Sequence, residues 1–587
     1  MNSDHTLTER QEVIAQRPQV TFQPEFSVLP NTTAGNSTIH TGVPCLNNSW
    51  DISSDENHND GQEKNEPRVK RRLKSRHLQM VAIGGTIGTG LFVGSGATIA
   101  TAGPLGSLIG FLTVGIMVYF ITTSLGELAA YMPVSGSFNT YAGRFVDPAL
   151  AFALGWNYWL QWAISLPSEL AAAGIIMSFW CPTVPSWVWS AIILGLLVLI
   201  HSRGVEGFGE SEYWLSIIKV VAIVCMSSMS CPSLNDVLLT LNVVFIISGT
   251  MVDLGWIGTG PMIGFDNWKI EGAPLKNGIV GIFNVFVVAF YGFGGTELVG
   301  VTAGEAINPS KNVPKAIKQT FWRILLFYVI AIFVMGLVVR NDDPSLLDSA
   351  NKGDITIAPF TLVFERAGLS SAAHVMNGVI FSAVLSASSS AMYAATRTLM
   401  SLAHDEKAPA ILGKINSKGV PTYSLILTTL IGCLAFLSTI WGDGEVFTWL
   451  LNITGSSGII TWLSIAVIHI RFRRAFQLQK ESLDRLPYLA PLYPFGPWIA
   501  MFIGAVIITG QIYAAIMMQP FQLQNVIAVF IGMPFFFTLY FFYKFTKNTK
   551  LVDLYTCDLS GGDNDDYPIN VISNNQVLLT AKHNEKE

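Results

Sequence analysis

Charge is what this 587-residue chain has least of. Asp, Glu, Lys and Arg make up 13% of it, against roughly 25% in an ordinary soluble domain, and its mean hydropathy is +0.45. The shortage is also uneven. Of 35 basic and 40 acidic residues, Met1–His77 carries 19 and Lys544–Glu587 another 12, so only 44 serve the 466 residues between them. So thin a supply cannot cover a water-exposed surface, which excludes a large soluble enzyme. Cysteine is sparse too. Cys45, Cys181, Cys225, Cys231, Cys433 and Cys557 fall at no paired or metal-ligand spacing, so neither a disulfide framework nor a metal centre is written in them. There is no basic domain to bind nucleic acid, and the net charge is −5. Met1–Pro67 has no apolar core of a secretory signal, so the first apolar stretch is expected to act as its own insertion signal. The apolar part shows no nucleophile–base constellation, which argues against a membrane enzyme.

What the chain has in excess is long apolar runs. A bilayer crossing needs about 20 such residues. Stretches of this kind run at 78–102, 105–130, 149–179, 183–201, 213–252, 279–303, 320–340, 371–402, 421–440, 446–470, 497–518 and 525–543, twelve in all. The predicted organisation is a disordered tail over 1–77, a transmembrane domain over 78–543 and a second tail over 544–587. Arg68-Val-Lys-Arg-Arg-Leu-Lys-Ser-Arg76 precedes the first span and places the N-terminus in the cytosol. Alternate loops agree: those after spans 6, 8, 10 and 12 hold 16 basic residues, whereas the opposite loops after span 5 hold five. Both tails are then cytosolic.

Span 5 is anomalous. Cys225-Met-Ser-Ser-Met-Ser-Cys-Pro-Ser-Leu-Asn-Asp236 interrupts it, and deleting the 18 residues 225–242 joins two apolar halves into one helix. Two readings are open, a translated in-frame intron and a genuine atypical loop; sequencing the transcript separates them.

Two spans carry glycine clusters where a helix should be regular: Ile83-Gly-Gly-Thr-Ile-Gly-Thr-Gly-Leu-Phe92 in the first and Ala289-Phe-Tyr-Gly-Phe-Gly-Gly-Thr-Glu-Leu298 in the sixth. Unwound backbone at membrane depth is tolerated only where it lines a cavity. Interruptions at corresponding places in two halves point to a transporter built from inverted repeats, and spans 1 and 6 are five apart. The competing use of these glycines is close helix packing.

Read together, the motifs resemble the fungal amino acid permease family of the amino acid–polyamine–organocation superfamily. The residues carrying the resemblance are Met80-Val-Ala-Ile-Gly-Gly-Thr-Ile-Gly-Thr-Gly-Leu-Phe-Val-Gly-Ser-Gly96, Gly126-Glu-Leu-Ala-Ala-Tyr-Met-Pro-Val-Ser-Gly-Ser-Phe138, Gly294-Gly-Thr-Glu-Leu-Val-Gly300, Gly304-Glu-Ala-Ile-Asn-Pro309, Leu385-Ser-Ala387, Tyr393-Ala-Ala-Thr-Arg-Thr-Leu399, Gly419-Val-Pro421 and Arg471-Phe-Arg-Arg474. The match covers nearly all of Arg72–Asp553 apart from the span 5 insert.

The resemblance implies an all-α polytopic membrane protein of twelve transmembrane helices in a five-plus-five inverted repeat (LeuT-like) with discontinuous helices 1 and 6. Its implied activity is proton-coupled uptake of an L-amino acid by alternating access, with no cofactor beyond the coupling proton. The expected location is the plasma membrane, with endoplasmic reticulum or endosomal pools as alternatives. Trafficking or ubiquitination machinery is an expected partner of the tails. An amino acid sensor and an amino acid exchanger are the rival readings on the same scaffold.

Carried over by residue, Thr86, Ile87, Gly88, Thr89 and Gly90 would grip the substrate carboxylate, and backbone carbonyls around Phe290, Tyr291 and Gly292 the ammonium. Tyr291 matches the aromatic gating position, Phe293 would line the side-chain pocket, and Glu297 is either a functional acid or an anchor of the broken helix. Lys219, amid apolar residues of span 5, is the proton-coupling candidate, since a desolvated lysine exchanges its proton readily; snorkelling is its alternative. Glu169 in span 3 is a second intramembrane acid with a proton or substrate role. Glu127 is expected to be a structural cap or loop anchor, His374 and His469 interfacial, and Trp156, Trp159 and Trp162 a packing face. One departure stands out: where the family commonly has Asn in span 8, this chain has Ser389 within Ser388-Ser389-Ser390.

Overall fold

The computed structural model describes residues 89–560 except 93, 135, 205–207, 209, 212–214, 216–245, 247–248, 257–261, 306–307, 344–369, 418 and 518–522. Thr86, Ile87, Gly88, Lys219, the insert 225–242 and the tail 1–77 therefore lie outside the described residues. The described residues form helices joined by turns and loops, with no strand among them. In order, the α-helices are α1 (Thr89–Phe92), α2 (Gly94–Tyr131), α3 (Phe138–Phe145), α4 (Pro148–Ser178), α5 (Ser186–His201), α6 (Gly278–Phe293), α7 (Leu298–Thr302), α8 (Pro309–Arg323), α9 (Ala331–Val338), α10 (Ser370–His404), α11 (Thr422–Gly432), α12 (Ser438–Trp441), α13 (Asp443–Leu478), α14 (Phe495–Met517), α15 (Leu523–Phe530) and α16 (Gly532–Lys547).

Eight helical stretches among the described residues are long and apolar enough to cross a bilayer: Gly94–Tyr131, Pro148–Ser178, Gly278–Val301, His374–His404, Thr422–Trp441, Asp443–Leu478, Phe495–Met517 and Val526–Lys547. The predicted spans at 183–201 and 320–340 coincide with shorter apolar helices, Ser186–His201 and Tyr328–Val338. The predicted boundary between the first two spans is where helical geometry breaks inside α2, which is two helices meeting at a kink. Gly103 sits at φ 75°, ψ 173°, with Pro104 behind it. A Cβ at Gly103 would lie 2.7 Å from the Pro274 carbonyl, so only glycine fits both the dihedral and the space. The backbone groups released at the bend are satisfied by the 274–276 loop: Leu105 N–H donates to Pro274 O at 3.0 Å and Lys276 N–H to Ala102 O at 2.9 Å.

α4 is the central post, with α10, α13 and α16 packed against it, while α2 lies along α6. Its start is set locally: the Asp147 carboxylate caps the helix by accepting from Ala149 N–H at 2.8 Å, with Pro148 in the first turn. Asp147 also accepts from Thr549 Oγ1 at 2.8 Å and pairs with Lys544. Burial opposes its charge, yet these hydrogen bonds hold its carboxyl below the usual range.

The segment assigned from sequence to a tail from 544 onward is folded as far as 560. α16 reaches Lys547, and beyond it Leu554, Cys557 and Leu559 are buried. Val552 N–H donates to Val146 O at 2.9 Å, Arg471 Nη2 to Val552 O at 2.7 Å, Gln479 Nε2 to Cys557 O at 2.8 Å and Tyr131 Oη to Leu559 O at 2.7 Å. Arg144 pairs with Asp558 at 2.8 Å. Hydropathy gave no hint of this, because a docked segment held mainly by its backbone carbonyls reads as a polar tail.

Candidate functional site

One face of α4 carries Gln161, Trp162, Ser165 and Glu169, spaced i, i+1, i+4 and i+8, which stacks them along a single stripe of a 3.6-residue helix. Pro167 lies in the same turns, where it cannot donate to the helix ladder. These four side chains form one wall of a cavity between the helices, termed the central cavity. Phe290, Tyr291, Gly294 and Gly295 form the facing wall, and Gly90, Ala387 of α10, and Thr454 and Gly455 of α13 close it.

The facing wall exists because α6 stops. The helix ends at Phe293, the backbone turns through Gly294 and Gly295, and helix resumes at Leu298. This is the interruption expected of the sixth span. Carbonyls of the last turn lose their intrahelical partners at such an end. One of them, Gly292 O, accepts from Tyr328 Oη at 2.6 Å. Tyr328 is fully buried within Ile324–Ile330, a π-helical segment linking α8 to α9.

The segment before α2 meets this break backbone to backbone. A Cβ built on Gly90 would stand 2.4 Å from Gly292 N, 2.5 Å from its Cα and 2.9 Å from Tyr291 C. At Gly90, then, close packing and proximity to the cavity are the same fact, and the two uses weighed for the glycine cluster do not compete.

Across the cavity, Tyr291 Oη donates to Glu169 Oε1 at 2.9 Å and lies 3.3 Å from Ser168 Oγ. Glu169 is 4% exposed. The pair bridges α4 and α6 and places a carboxylate in the cavity wall beside a phenol. Below it, Glu297 is buried at the foot of α7 and accepts from Trp462 Nε1 at 3.3 Å, while the Trp462 ring lies 4.2 Å from that of Phe290.

Of the residues singled out by sequence and described here, Gly90, Phe290, Tyr291 and Glu169 share the cavity. Thr89, Gly292 and Glu297 flank it. Phe293, expected to line the side-chain pocket, turns away: it is fully buried against Phe111 and Tyr328, with ring centroids at 6.3 and 4.0 Å. Helical rotation accounts for this, since Phe293 follows Phe290 and Tyr291 around the helix toward α2. Trp162, grouped with Trp156 and Trp159 as packing, lines the cavity instead. Trp156 and Trp159 do pack, edge to face at 5.5 Å, and Trp156 Nε1 donates to Lys407 O at 3.1 Å. Gln161, Ser165 and Thr454 were missed, although the α4 stripe was visible as spacing. Tyr328 and Trp462 had no local signal, because each reaches the site from a distant helix.

Glu127 is an anchor, as expected. It accepts from Ala490 N–H at 2.6 Å and from Arg473 Nη2 at 2.9 Å, and lies 3.2 Å from His469 Nε2. His469 is fully buried in this cluster. Among the described residues no group of His, Cys, Asp and Glu could hold a metal ion.

Comparison with known proteins covers nearly all of this architecture. The profile of the family described as Amino acid permease matches residues 77–554. The lysine-specific permease LysP of Escherichia coli (strain K12) is 47% identical over 83% of this chain and 95% of its own length. The histidine permease HisP of Lactococcus lactis subsp. cremoris is 43% identical over 84% of this chain and 99% of its own. The general amino-acid permease GAP2 of Candida albicans is 43% identical over 76% of this chain and 73% of its own. With its long apolar helices and the cavity between them, the chain is a multi-pass membrane transporter rather than an enzyme, and it belongs to the amino acid permease family.

Proposed function

We propose that this permease takes up amino acids with a cationic side chain, driven by protons, through alternating access of the central cavity. The observation that carries the substrate class is the Glu169 carboxylate in the cavity wall, held by Tyr291 across from the end of α6. An amino acid brings three charged or polar ends to such a site. Its carboxylate suits the backbone of Thr86–Gly90, and its ammonium suits the carbonyl end of α6, where the helix dipole is negative. Glu169, in the cavity wall, then faces the third end, and an acid in a membrane site favours a cationic group over a neutral or acidic one. Two of the relatives, a lysine-specific permease and a histidine permease, support the same class.

Proton coupling is assigned to Lys219, in keeping with its place among apolar residues of span 5. The twelve-helix, five-plus-five architecture supplies the motion, one bundle rocking against the other around the cavity. The plasma membrane is the proposed location, with both termini in the cytosol.

Purified full-length protein in liposomes tests this with labelled lysine and an imposed pH gradient. The expected result is accumulation above equilibrium that a protonophore abolishes, with competition by arginine and ornithine but not by leucine or aspartate. Accumulation indifferent to the gradient would overturn coupling, and equal competition by all amino acids would overturn the cationic class. Binding without any accumulation would identify a sensor.

A further inference from the structure

α10 borders two cavities. Ala387 touches the central one; Tyr393, Thr396 and Arg397, farther along the same helix, line a second together with His201 and the turn at Gly419. Ten residues separate Ala387 from Arg397, roughly 15 Å of helix rise. Between the two cavities, Ser389 Oγ lies 3.2 Å from His201 Nε2.

Two features mark the second cavity as a place for a ligand. Arg397 is half-buried, and no carboxylate lies within ion-pair distance of it among the described residues; its guanidinium sits 5.6 Å from the centre of the Tyr393 ring and 3.7 Å from Met400 Sδ. Thr396 is 6% exposed, and its hydroxyl has no hydrogen-bond partner among the described residues. Other helical threonines here, Thr122, Thr428 and Thr429, return theirs to the carbonyl four residues back. Among the described residues, then, a buried hydroxyl without a partner and a guanidinium without a counter-charge stand side by side on one cavity wall. Both donate, and a guanidinium is shaped to meet the two oxygens of a carboxylate.

We propose that the second cavity is a further substrate station, in which Arg397 and Thr396 hold the α-carboxylate of an amino acid on its way between the central cavity and the membrane face at the Arg397 end of α10. The station rests on the reading of the central cavity as the transport site. It is less selective than the central site, because every amino acid carries the group it recognises.

Equilibrium binding of labelled lysine to the detergent-purified full-length protein tests it. The wild type should show two classes of site, the weaker one lost in Arg397→Gln, weakened several-fold in Thr396→Val and largely retained in Arg397→Lys. Glu169→Gln should lose the tighter class and keep the weaker. Lysine methyl ester, which lacks the carboxylate, should leave the weaker class unfilled, and inorganic phosphate should not displace lysine from it. A monodisperse Arg397→Gln protein that keeps both classes, or a wild type with one class only, overturns the second station. Displacement by phosphate at millimolar concentration would reassign the cavity to a phosphate group and overturn its role toward substrate. Loss of neither class in Glu169→Gln would sink the central-site reading instead, so the two failures are distinguishable.

Discussion

Replacing Gly90 with alanine adds one carbon at the tightest backbone contact of the site. That carbon would sit 2.4 Å from Gly292 N and 2.5 Å from Gly292 Cα. Non-bonded carbons prefer roughly 3.5–4.0 Å, so the two segments must part by about 1 Å. Neither can yield by rotating a side chain, because the atoms met are backbone. Overpacking of this kind costs about 1–3 kcal/mol, and a displacement of about 1 Å between groups that bind substrate lowers turnover on the order of 100-fold. The expected phenotype of Gly90→Ala is therefore a transporter that reaches the membrane at reduced but measurable level and has lost nearly all uptake per molecule. Uptake of labelled lysine, normalised to surface fluorescence of a tagged protein, measures it. Gly378→Ala in α10 is the control: a Cβ there meets nothing within 4 Å, and alanine is favoured over glycine in a helix by about 1 kcal/mol, so uptake should be unchanged. Uptake by Gly90→Ala within twofold of wild type at equal surface level would refute the claim that this contact shapes the site.

Tyr291→Phe removes the 2.9 Å bond to Glu169 and should raise the KM for lysine about tenfold, in line with the ~1.5–3 kcal/mol of a hydrogen bond to a charged group; an unchanged KM would separate the pair from substrate binding. Arg473→Ala strands the Glu127 carboxylate in a fully buried site, which costs about 3–5 kcal/mol, so the protein should fail to give a monodisperse peak on size exclusion while Arg474→Ala, nearby but outside the cluster, behaves as wild type. Asp147→Ala removes the cap of α4 and the partner of Lys544, lowering stability at neutral pH by about 0.5–2 kcal/mol from the cap alone. Because the Asp147 carboxyl is held below its usual value, its contribution is present above the unfolded pKa of about 3.9 and is lost as pH falls through the folded value; thermal melts of wild type and variant should converge only in that acid range.

Helices were legible in this sequence wherever hydropathy alone decides them. The run at 149–179 became α4 almost unchanged, and those at 371–402 and 446–470 became α10 and α13 with longer ends, because their polar termini continue as helix beyond the apolar stretch. The break in α6 was legible because glycine marks it. Less visible were partners contributed across the bundle. Tyr328 on Gly292, Trp462 on Glu297 and Arg473 on Glu127 link residues 36, 165 and 346 positions apart, and local spacing carries no such information. Phe293 differs for another reason: a side chain's direction depends on which neighbour occupies the other face of the helix, and a motif does not state that. In the span 1 segment the described residues begin at Thr89, so of the five carboxylate-binding candidates only Thr89 and Gly90 have a structural context.

The segment that follows α16 has a consequence in time as well as in space. Residues 549–560 leave the ribosome after every helix they touch, yet Tyr131, Arg471 and Gln479 depend on them for hydrogen-bond acceptors. Until that segment emerges and docks, this face of a fully inserted protein presents unsatisfied donors and the apolar ground beneath Leu554 and Leu559. The docked segment thus acts as a completion seal: its presence distinguishes a finished molecule from one whose synthesis stopped after the last helix. A chain terminated at 548 would cross the membrane as often as the full one and still look unfinished to a factor that samples exposed donors and apolar patches.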